Sequence, residues 1–469
     1  MRAALLTLPI IAPMLLAACT TVGPDHAVPD MALAESWIEP ASTDPVDPRW
    51  WTAFHDPVLT GLIERALAGN PDLKQAAARV AEARAGREAA QGGRLPQGGA
   101  AASATQNRLS ENGQLPIGSL PGFDPSFPLY DIGFDASWEI DLWGGTTRGI
   151  ESAAAQERAA QWARRDAMVS LTAEIARAYI DYRAAQTRLG QADDRVEAAG
   201  EVASLTQLLR QSGEVNQIDA DRAASAAEAA ISGRIQEAAA VAALEYQLAA
   251  LVGAKPEDVV PQLRASSGLI PEPPTVIASG IRSDLLRRRP DIRIAESQLA
   301  ASTAEIGVAM AELYPSFSLI GQIGMQARDP GDLIDGASLR YSVGPSFRWP
   351  LFSLGRLRAQ VRAADARAQG AAARYEAAVI KALAESETAA NHYAAATLVS
   401  QSARDAQLRE TSAYDLVRLR ERRGEDSRLT RAQARLRMID AEAQERAAHA
   451  AKGVAAIALY KALGGGWEE

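Results

Sequence analysis

Tyr130-Asp131-Ile132-Gly133-Phe134-Asp135-Ala136-Ser137-Trp138-Glu139-Ile140-Asp141-Leu142 alternates residue by residue. Tyr130, Ile132, Phe134, Ala136, Trp138, Ile140 and Leu142 share one face, and Asp131, Gly133, Asp135, Ser137, Glu139 and Asp141 share the other. Successive side chains of a strand point to opposite faces. A period of two over ten or so residues, with aromatics on the apolar side, suits a strand between lipid and a wet lumen. Taken alone, a half-buried strand of a soluble sheet carries the same pattern. A second such stretch sets Leu339, Tyr341, Val343, Phe347, Trp349 and Leu351 against Arg340, Ser342, Ser346 and Arg348. A third run, Ser316 to Met325, places Phe317, Leu319, Ile323 and Met325 on one face. Its counterpart, Ala100 to Arg108, is mostly alanine and small polar residues.

Four strands per chain are thereby expected. Lipid tolerates no open sheet edge, because unpaired backbone groups there cost several kcal/mol, and single-chain outer-membrane barrels start at about eight strands. Four spanning strands must therefore close a barrel shared between identical chains. Asp131, Asp135 and Glu139 would line its lumen beside Arg340 and Arg348, a mixture of signs that assigns no ion selectivity.

The stretches recur because the chain is written twice. Asn70-Pro71-Asp72-Leu73 returns as Arg289-Pro290-Asp291-Ile292, an offset of 219 that also pairs Ala76 with Ala295, Val80 with Leu299 and Pro96 with Pro315. Beyond one longer loop in the first copy the offset becomes 211. It pairs Tyr130 with Tyr341, Gly133 with Gly344, Trp138 with Trp349, Gly144 with Gly355, Gly213-Glu214 with Gly424-Glu425, and Gly253 with Gly464. A first repeat over 49–255 and a second over 281–469 are thus joined by a proline-rich segment, 256–280.

Most of the remainder reads as very long helix. No proline occurs from Leu129 to Lys255, nor after Pro350. Met168, Ile175, Tyr182, Leu189, Val196 and Ala203 recur every seven residues, and Leu171, Ala178, Ala185, Ala192, Ala199 and Thr206 fill the alternate seam positions. That is a coiled-coil seam whose small residues let helices approach closely. A helix from Thr146 to Gln211 would run roughly 100 Å at 1.5 Å per residue. It breaks at Gly213 and returns from Gln217 to Leu251, and the second repeat makes the same hairpin with its turn at Gly424. A solvated cytosolic coiled coil would account for the helices, but not for the strands or the N-terminus.

Composition narrows the class further. The 469 residues are 47% hydrophobic but only 5% aromatic, with a net charge of −9, four histidines and one cysteine. The length alone suggests about three globular domains. Much of the apolar fraction is alanine, which buries too little area for a thick core. The acidic balance argues against nucleic-acid binding. One cysteine excludes an internal disulfide and a cysteine-based zinc site. His26, His55, His392 and His449 show no metal-ligand spacing, and no phosphate-loop signature is present. Gly464-Gly465-Gly466 follows a helix and reads as its C-terminal cap. The three arginines between Ser283 and Pro290 read as packing rather than nucleic-acid contact. Residues 1–18 have signal-peptide grammar: Arg2, then an apolar run from Ala3, then Leu16-Ala17-Ala18 before Cys19. The end resembles a bacterial lipobox. Cleavage there would leave Cys19 with a diacylglycerol on its thiol and an acyl group on its amine, heading an extended segment, 19–48. Thr20, in place of an aspartate, favours the outer membrane. A spare buried cysteine behind a plain secretory signal is the alternative.

Five segments carry a family resemblance: Trp50-Trp51-Thr52-Ala53-Phe54-His55-Asp56-Pro57, Trp138-Glu139-Ile140-Asp141-Leu142-Trp143-Gly144, Ser283-Asp284-Leu285-Leu286-Arg287-Arg288-Arg289-Pro290-Asp291-Ile292, Tyr314-Pro315-Ser316-Phe317-Ser318-Leu319, and Leu459-Tyr460-Lys461-Ala462-Leu463-Gly464-Gly465-Gly466-Trp467. Spread over nearly the whole mature chain, they resemble the TolC-like outer membrane factor family, in its NodT-type lipoprotein branch of efflux channels. The resemblance implies a mostly α fold with membrane β: a homotrimer with one twelve-stranded barrel, a long antiparallel α-helical tunnel through the periplasm and an equatorial region. It implies a passive conduit for small molecules across periplasm and outer membrane, working with an inner-membrane transporter of the RND type and a periplasmic adaptor. No enzyme activity is expected, and no cofactor beyond the lipid on Cys19. Gly213, Glu214, Gly424, Glu425 and Asp426 would mark hairpin tips that dock the adaptor and close the tunnel. A charge latch would set Arg422, Arg423, Arg428 and Arg431 against Glu214, Asp219 and Asp221, since exposed pairs of about 0–1 kcal/mol open readily. The family's aspartates just past the second turn are not followed here, where Thr430 and Gln433 stand. A type I protein-secretion channel and a pore-less coiled-coil lipoprotein are the rival readings.

Overall fold

The structure is a computed structural model that describes residues 21–31, 34, 36–38, 44–110, 124–266, 269–274, 276–280 and 282–467. Cys19 and the 1–18 segment lie outside the described residues. After a 3-10 turn at Trp50–Phe54 come α1 (Pro57–Gly69), α2 (Pro71–Gly92), β1 (Gln97–Arg108), β2 (Ser126–Ile140), α3 (Gly145–Gln211), α4 (Gln217–Val252) and α5 (Pro256–Ala265). The second half follows with α6 (Leu285–Arg288), α7 (Pro290–Ala311), β3 (Ser316–Ala327), β4 (Leu339–Arg348), α8 (Leu354–Arg422) and α9 (Arg428–Ala462).

The strands form one antiparallel sheet in the order β1-β2-β3-β4. Its middle pair joins the two repeats, with Asp131 opposite Gln326 and Ile140 opposite Phe317. All four strands depart from their expected bounds; β3 runs on to Ala327, and β2 already begins at Ser126. β1 begins at Gln97, because its small side chains are carried by twelve successive pairings with β2 rather than by their own β propensity. β2 stops at Ile140, and Leu142 is not part of it. Asp141 turns away to cap α3, accepting from the backbone N–H groups of Thr146 (3.1 Å) and Thr147 (2.8 Å) and from the Thr147 hydroxyl (2.8 Å). β4 ends at Arg348, so Trp349 and Leu351 also leave the strand; Pro350 lacks the N–H that another rung needs.

Two compact units emerge, and neither is one sequence repeat. The first unit takes residues up to Pro29, Val80–Ala159 and Ala295–Tyr375, including the whole sheet. The second takes Asp30–Arg79, Ala160–Ile294 and Glu376–Glu469. In the second unit every seam position from Met168 to Thr206 is buried or half-buried. The middle of α3 is covered on most of its surface, with Ile175, Tyr179, Ile180 and Tyr182 fully buried and Glu174 and Arg177 left exposed. Trp50 stacks on Tyr460 with ring centroids 5.1 Å apart. The Asp56 carboxylate caps α1 and accepts from the Tyr179 hydroxyl (2.8 Å), whose oxygen accepts in turn from the buried Arg183. Desolvation raises the Tyr179 hydroxyl far above its ordinary pKa. The proline-rich join holds α5, started by Pro256 at its first position and anchored through the buried Val259, Val260 and Leu263.

The arginine-rich stretch before Pro290 is packing, as its composition suggested. Arg289 bonds Asp291 (2.7 Å), Glu385 (2.6 Å) and the Ala462 carbonyl (2.9 Å). Burial opposes its charge, and the two carboxylates outweigh burial. Gly464 follows α9, and the N–H of Gly465 closes onto the Tyr460 carbonyl, as a C-terminal cap requires.

Candidate functional site

The sheet sorts its side chains by face. One face carries Ser103, Thr105, Asn107, Asp131, Asp135, Ser137, Glu139, Ser318, Gln322, Gln326, Arg340, Ser342, Ser346 and Arg348, with Phe127, Leu129 and Ile320 as its large apolar members. The other carries Ile132, Phe134, Trp138, Ile140, Leu319, Ile323, Leu339, Tyr341, Val343 and Phe347, every one exposed. Phe134 is 67% exposed, Val343 72% and Tyr341 75%. Contiguous apolar exposure on this scale marks an interaction surface, and a continuous band of it across a sheet suits lipid.

On the polar face the structure brings Asp131 and Arg340 together at 2.8 Å. Gln326 donates to the other Asp131 oxygen (2.8 Å), and Arg340 donates to Gln322 (3.1 Å). Gly133 and Gly324 face each other beneath this bridge, so closely that a Cβ on Gly324 would lie 2.9 Å from the Gly133 Cα. Asp135, Glu139 and Arg348 share the face without a side-chain bond to a described residue. At the helix-side end of the sheet, indole N–H groups donate to backbone carbonyls: Trp138 to Arg94 (3.0 Å), Trp143 to Pro315 (2.8 Å) and Trp349 to Leu313 (3.3 Å). The segment that follows Cys19 is held in the same unit. Val22 donates to the Trp143 carbonyl, and Arg148, almost fully buried, bonds Val22, Gly23, Asp25 and Glu151. The segment is legible in the sequence; Arg148, with no local pattern to mark it, is not.

The hairpin tips lie in the second unit. Gly213 (φ 82°) and Gly424 (φ 76°) both adopt the left-handed conformation that a Cβ disfavours. Glu214 donates to Leu209 and Gly213 to Arg210, and Glu425 donates to Arg420 and Gly424 to Glu421. Both tips are therefore Schellman turns. Each returning arm has a side-chain cap: Asn216 accepts from Asp219 N–H and Ser427 from Thr430 N–H, both at 3.0 Å. At the first tip Glu214 accepts from the Ser212 hydroxyl and Asp221 from the Gln217 amide. At the second, Arg420 reaches Asp426 (3.1 Å) and Glu425 (3.6 Å). Arg422, Arg423 and Arg428 are exposed and make no ion pair with a described residue.

A charge clasp does join the hairpins, through other residues. Arg431 of α9 pairs with Glu201 of α3 and, at 3.4 Å, with Glu421. Arg435 pairs with Glu197 (2.7 Å) and Asp194 (3.7 Å) of α3, and Arg195 of α3 pairs with Asp440. The bond from Arg435 holds the Glu197 carboxyl below the usual carboxylate range. Of the cations expected in a latch, Arg431 alone takes part. The other positions were open to detection: Glu197 and Glu201 on one helix, and Arg431 and Arg435 on the other, each lie four apart and so share a helix face. Among the described residues no group of three or more His, Cys, Asp or Glu could hold a metal ion.

Comparison with known proteins places these features. The family described as outer membrane efflux protein matches the chain twice, over residues 62–254 and 281–465. The pyoverdine export outer membrane protein OpmQ of Pseudomonas putida is 32% identical over 477 residues, covering 97% of this chain and 96% of that protein. Nodulation protein T of Rhizobium leguminosarum is 32% identical over 383 residues, 80% of this chain and 76% of that protein. Among solved structures, the outer-membrane channel OprN is 35% identical with a TM-score of 0.85, covering 96% of this chain and 100% of that one.

Proposed function

This chain belongs to the outer membrane efflux protein family, and from that premise we propose that three copies form one conduit, gated at its hairpin tips and driven by a partner pump. The protein is the outer-membrane component of an efflux system, in a family of channels rather than enzymes. The observation that carries the proposal is the sheet: apolar on one face, polar on the other, with nothing described paired to the outer edge of β1 or of β4. Open edges cannot stand in lipid, so each must meet an edge of another copy. Twelve strands supplied by three chains would enclose a lumen lined by Asp131, Asp135, Glu139, Arg340 and Arg348.

The tips would meet a periplasmic adaptor, itself bound to an RND-type inner-membrane transporter that supplies the energy. At rest α9 is drawn against α3 by Arg431 and Arg435, and an opening movement would part these pairs. The carboxylate partners of Arg435 are exposed and those of Arg431 half-buried, and adaptor binding would have to offset both sets. A lipid on Cys19 would anchor the chain beside the sheet, with residues 22–25 held by Arg148. The cargo would be small solutes, with selectivity left to the transporter.

Planar-bilayer recording of the purified protein tests the conduit. Discrete conducting steps that grow when Arg431 and Arg435 are both replaced by alanine are expected. A correctly assembled complex that conducts nothing in either form rules the gated conduit out.

A further inference from the structure

We propose that β4 of one copy pairs with β1 of the next in a single register, Arg348 opposite Ala101, Gly344 opposite Thr105 and Tyr341 opposite Arg108. This rests on the shared-barrel reading above. The internal duplication supplies the register. β1 maps onto β3 at an offset of 219 and β2 onto β4 at 211. These offsets can be checked inside the chain. Gln97 opposite Ser137 maps to Ser316 opposite Arg348, and Ser103 opposite Asp131 maps to Gln322 opposite Ser342; both mapped pairs are present. The duplication therefore holds in the paired backbone as well as in the sequence.

The β2–β3 pair joins the end of one repeat to the start of the next. In a ring of repeats, the end of the second repeat meets the start of a first repeat in the neighbouring copy, and the same join recurs. Asp131 opposite Gln326 maps to Ser342 opposite Asn107, Gly133 opposite Gly324 to Gly344 opposite Thr105, and Ser137 opposite Ile320 to Arg348 opposite Ala101. The side chains agree. Ser346 meets Ser103 and Ser342 meets Asn107 on the polar face, while Phe347 meets Ala102 and Val343 meets Gln106 on the other. A slip of one residue would flip every side chain of one strand to the wrong face, so only slips of two compete.

Cysteine pairs read the register directly. Directly opposed Cβ atoms lie about 4.5–5.5 Å apart and diagonal ones about 7–8 Å, whereas a disulfide needs about 3.5–4.5 Å. Gly344 suits the test, because a Cβ there meets nothing within 4 Å, and Thr105 is exposed. Oxidation of Gly344→Cys with Thr105→Cys in outer membranes should give covalent dimers and trimers, at about tenfold the yield of Gly344→Cys with Ser103→Cys or with Asn107→Cys. Ser318→Cys with Ser346→Cys, paired within one chain, serves as the internal control. Preferential linkage to position 103 or 107, or equal yield from all three pairs, in protein whose native mass is three chains, overturns the register and leaves the shared barrel standing. A native mass of one chain overturns the shared barrel itself.

Discussion

The two hairpins share a turn and differ in charge. Gly213 and Gly424 close the same Schellman turn with the same bonds, and each returning arm opens with a polar side-chain cap three residues back. The ion pairs around them are not alike. Hairpin one, α3 and α4, pairs within itself through Arg188–Glu237 (3.0 Å) and Arg234–Asp193. The returning arm of hairpin two, α9, reaches out through Arg431 and Arg435 to α3. Duplication kept the backbone that only a left-handed glycine permits and let the charges diverge. The second hairpin is the moving part in this account, and the first is the post it is fastened to.

The largest effect should follow from cutting that fastening. Arg431→Ala with Arg435→Ala removes every contact of these two cations with α3 and should raise basal conductance about tenfold or more. Arg188→Ala with Arg234→Ala, removing as many arginines inside hairpin one and cutting both of its pairs, should leave the closed state intact. Equal opening from both double variants would erase the distinction. Acid should mimic the first variant more weakly. Because Arg435 depresses the Glu197 carboxyl, their pair is fully present above that group's ordinary value near 4.5 and is lost as pH falls through the depressed one. Conductance should therefore rise as pH falls below that ordinary value, and Glu197→Gln should flatten that rise. Turn geometry should show the opposite of divergence. Gly213→Ala and Gly424→Ala each strain a left-handed residue by about 1 kcal/mol, and thermal melts should report matching losses. The smallest effect belongs to Arg422→Ser with Arg423→Ser. Without an ion pair to a described residue, these arginines should change basal conductance by less than about twofold. A large rise would mean that they latch onto a neighbouring copy.

Legibility in the sequence followed the strength of the local signal. β2 and β4 announced themselves through alternating aromatics, whereas β1 is alanine and small polar residues and was visible chiefly through its duplicate. The strand ends at Asp141 and Pro350 were set by a helix cap and by proline, so alternation alone ran two or three residues too far. The heptad seam located the buried line of α3 but not the wider burial beside it, because Tyr179 and Arg183 lie off the seam and are held by Asp56 at the start of α1 and by Ser266 in the join. The polar face was readable residue by residue. The Asp131–Arg340 bridge was not, since it crosses the glycines Gly133 and Gly324 and depends on register. The clasp escaped for the same reason: Glu201 and Arg431 lie 230 residues apart.

The central claim is that one chain supplies a third of a barrel. Native mass spectrometry of the protein released from lipid nanodiscs tests it most directly. Three chains per complex is the predicted result, with no stable species of one chain in lipid. A monodisperse single chain that remains inserted in the bilayer would contradict the account, because four strands with two open edges would then be stable in lipid.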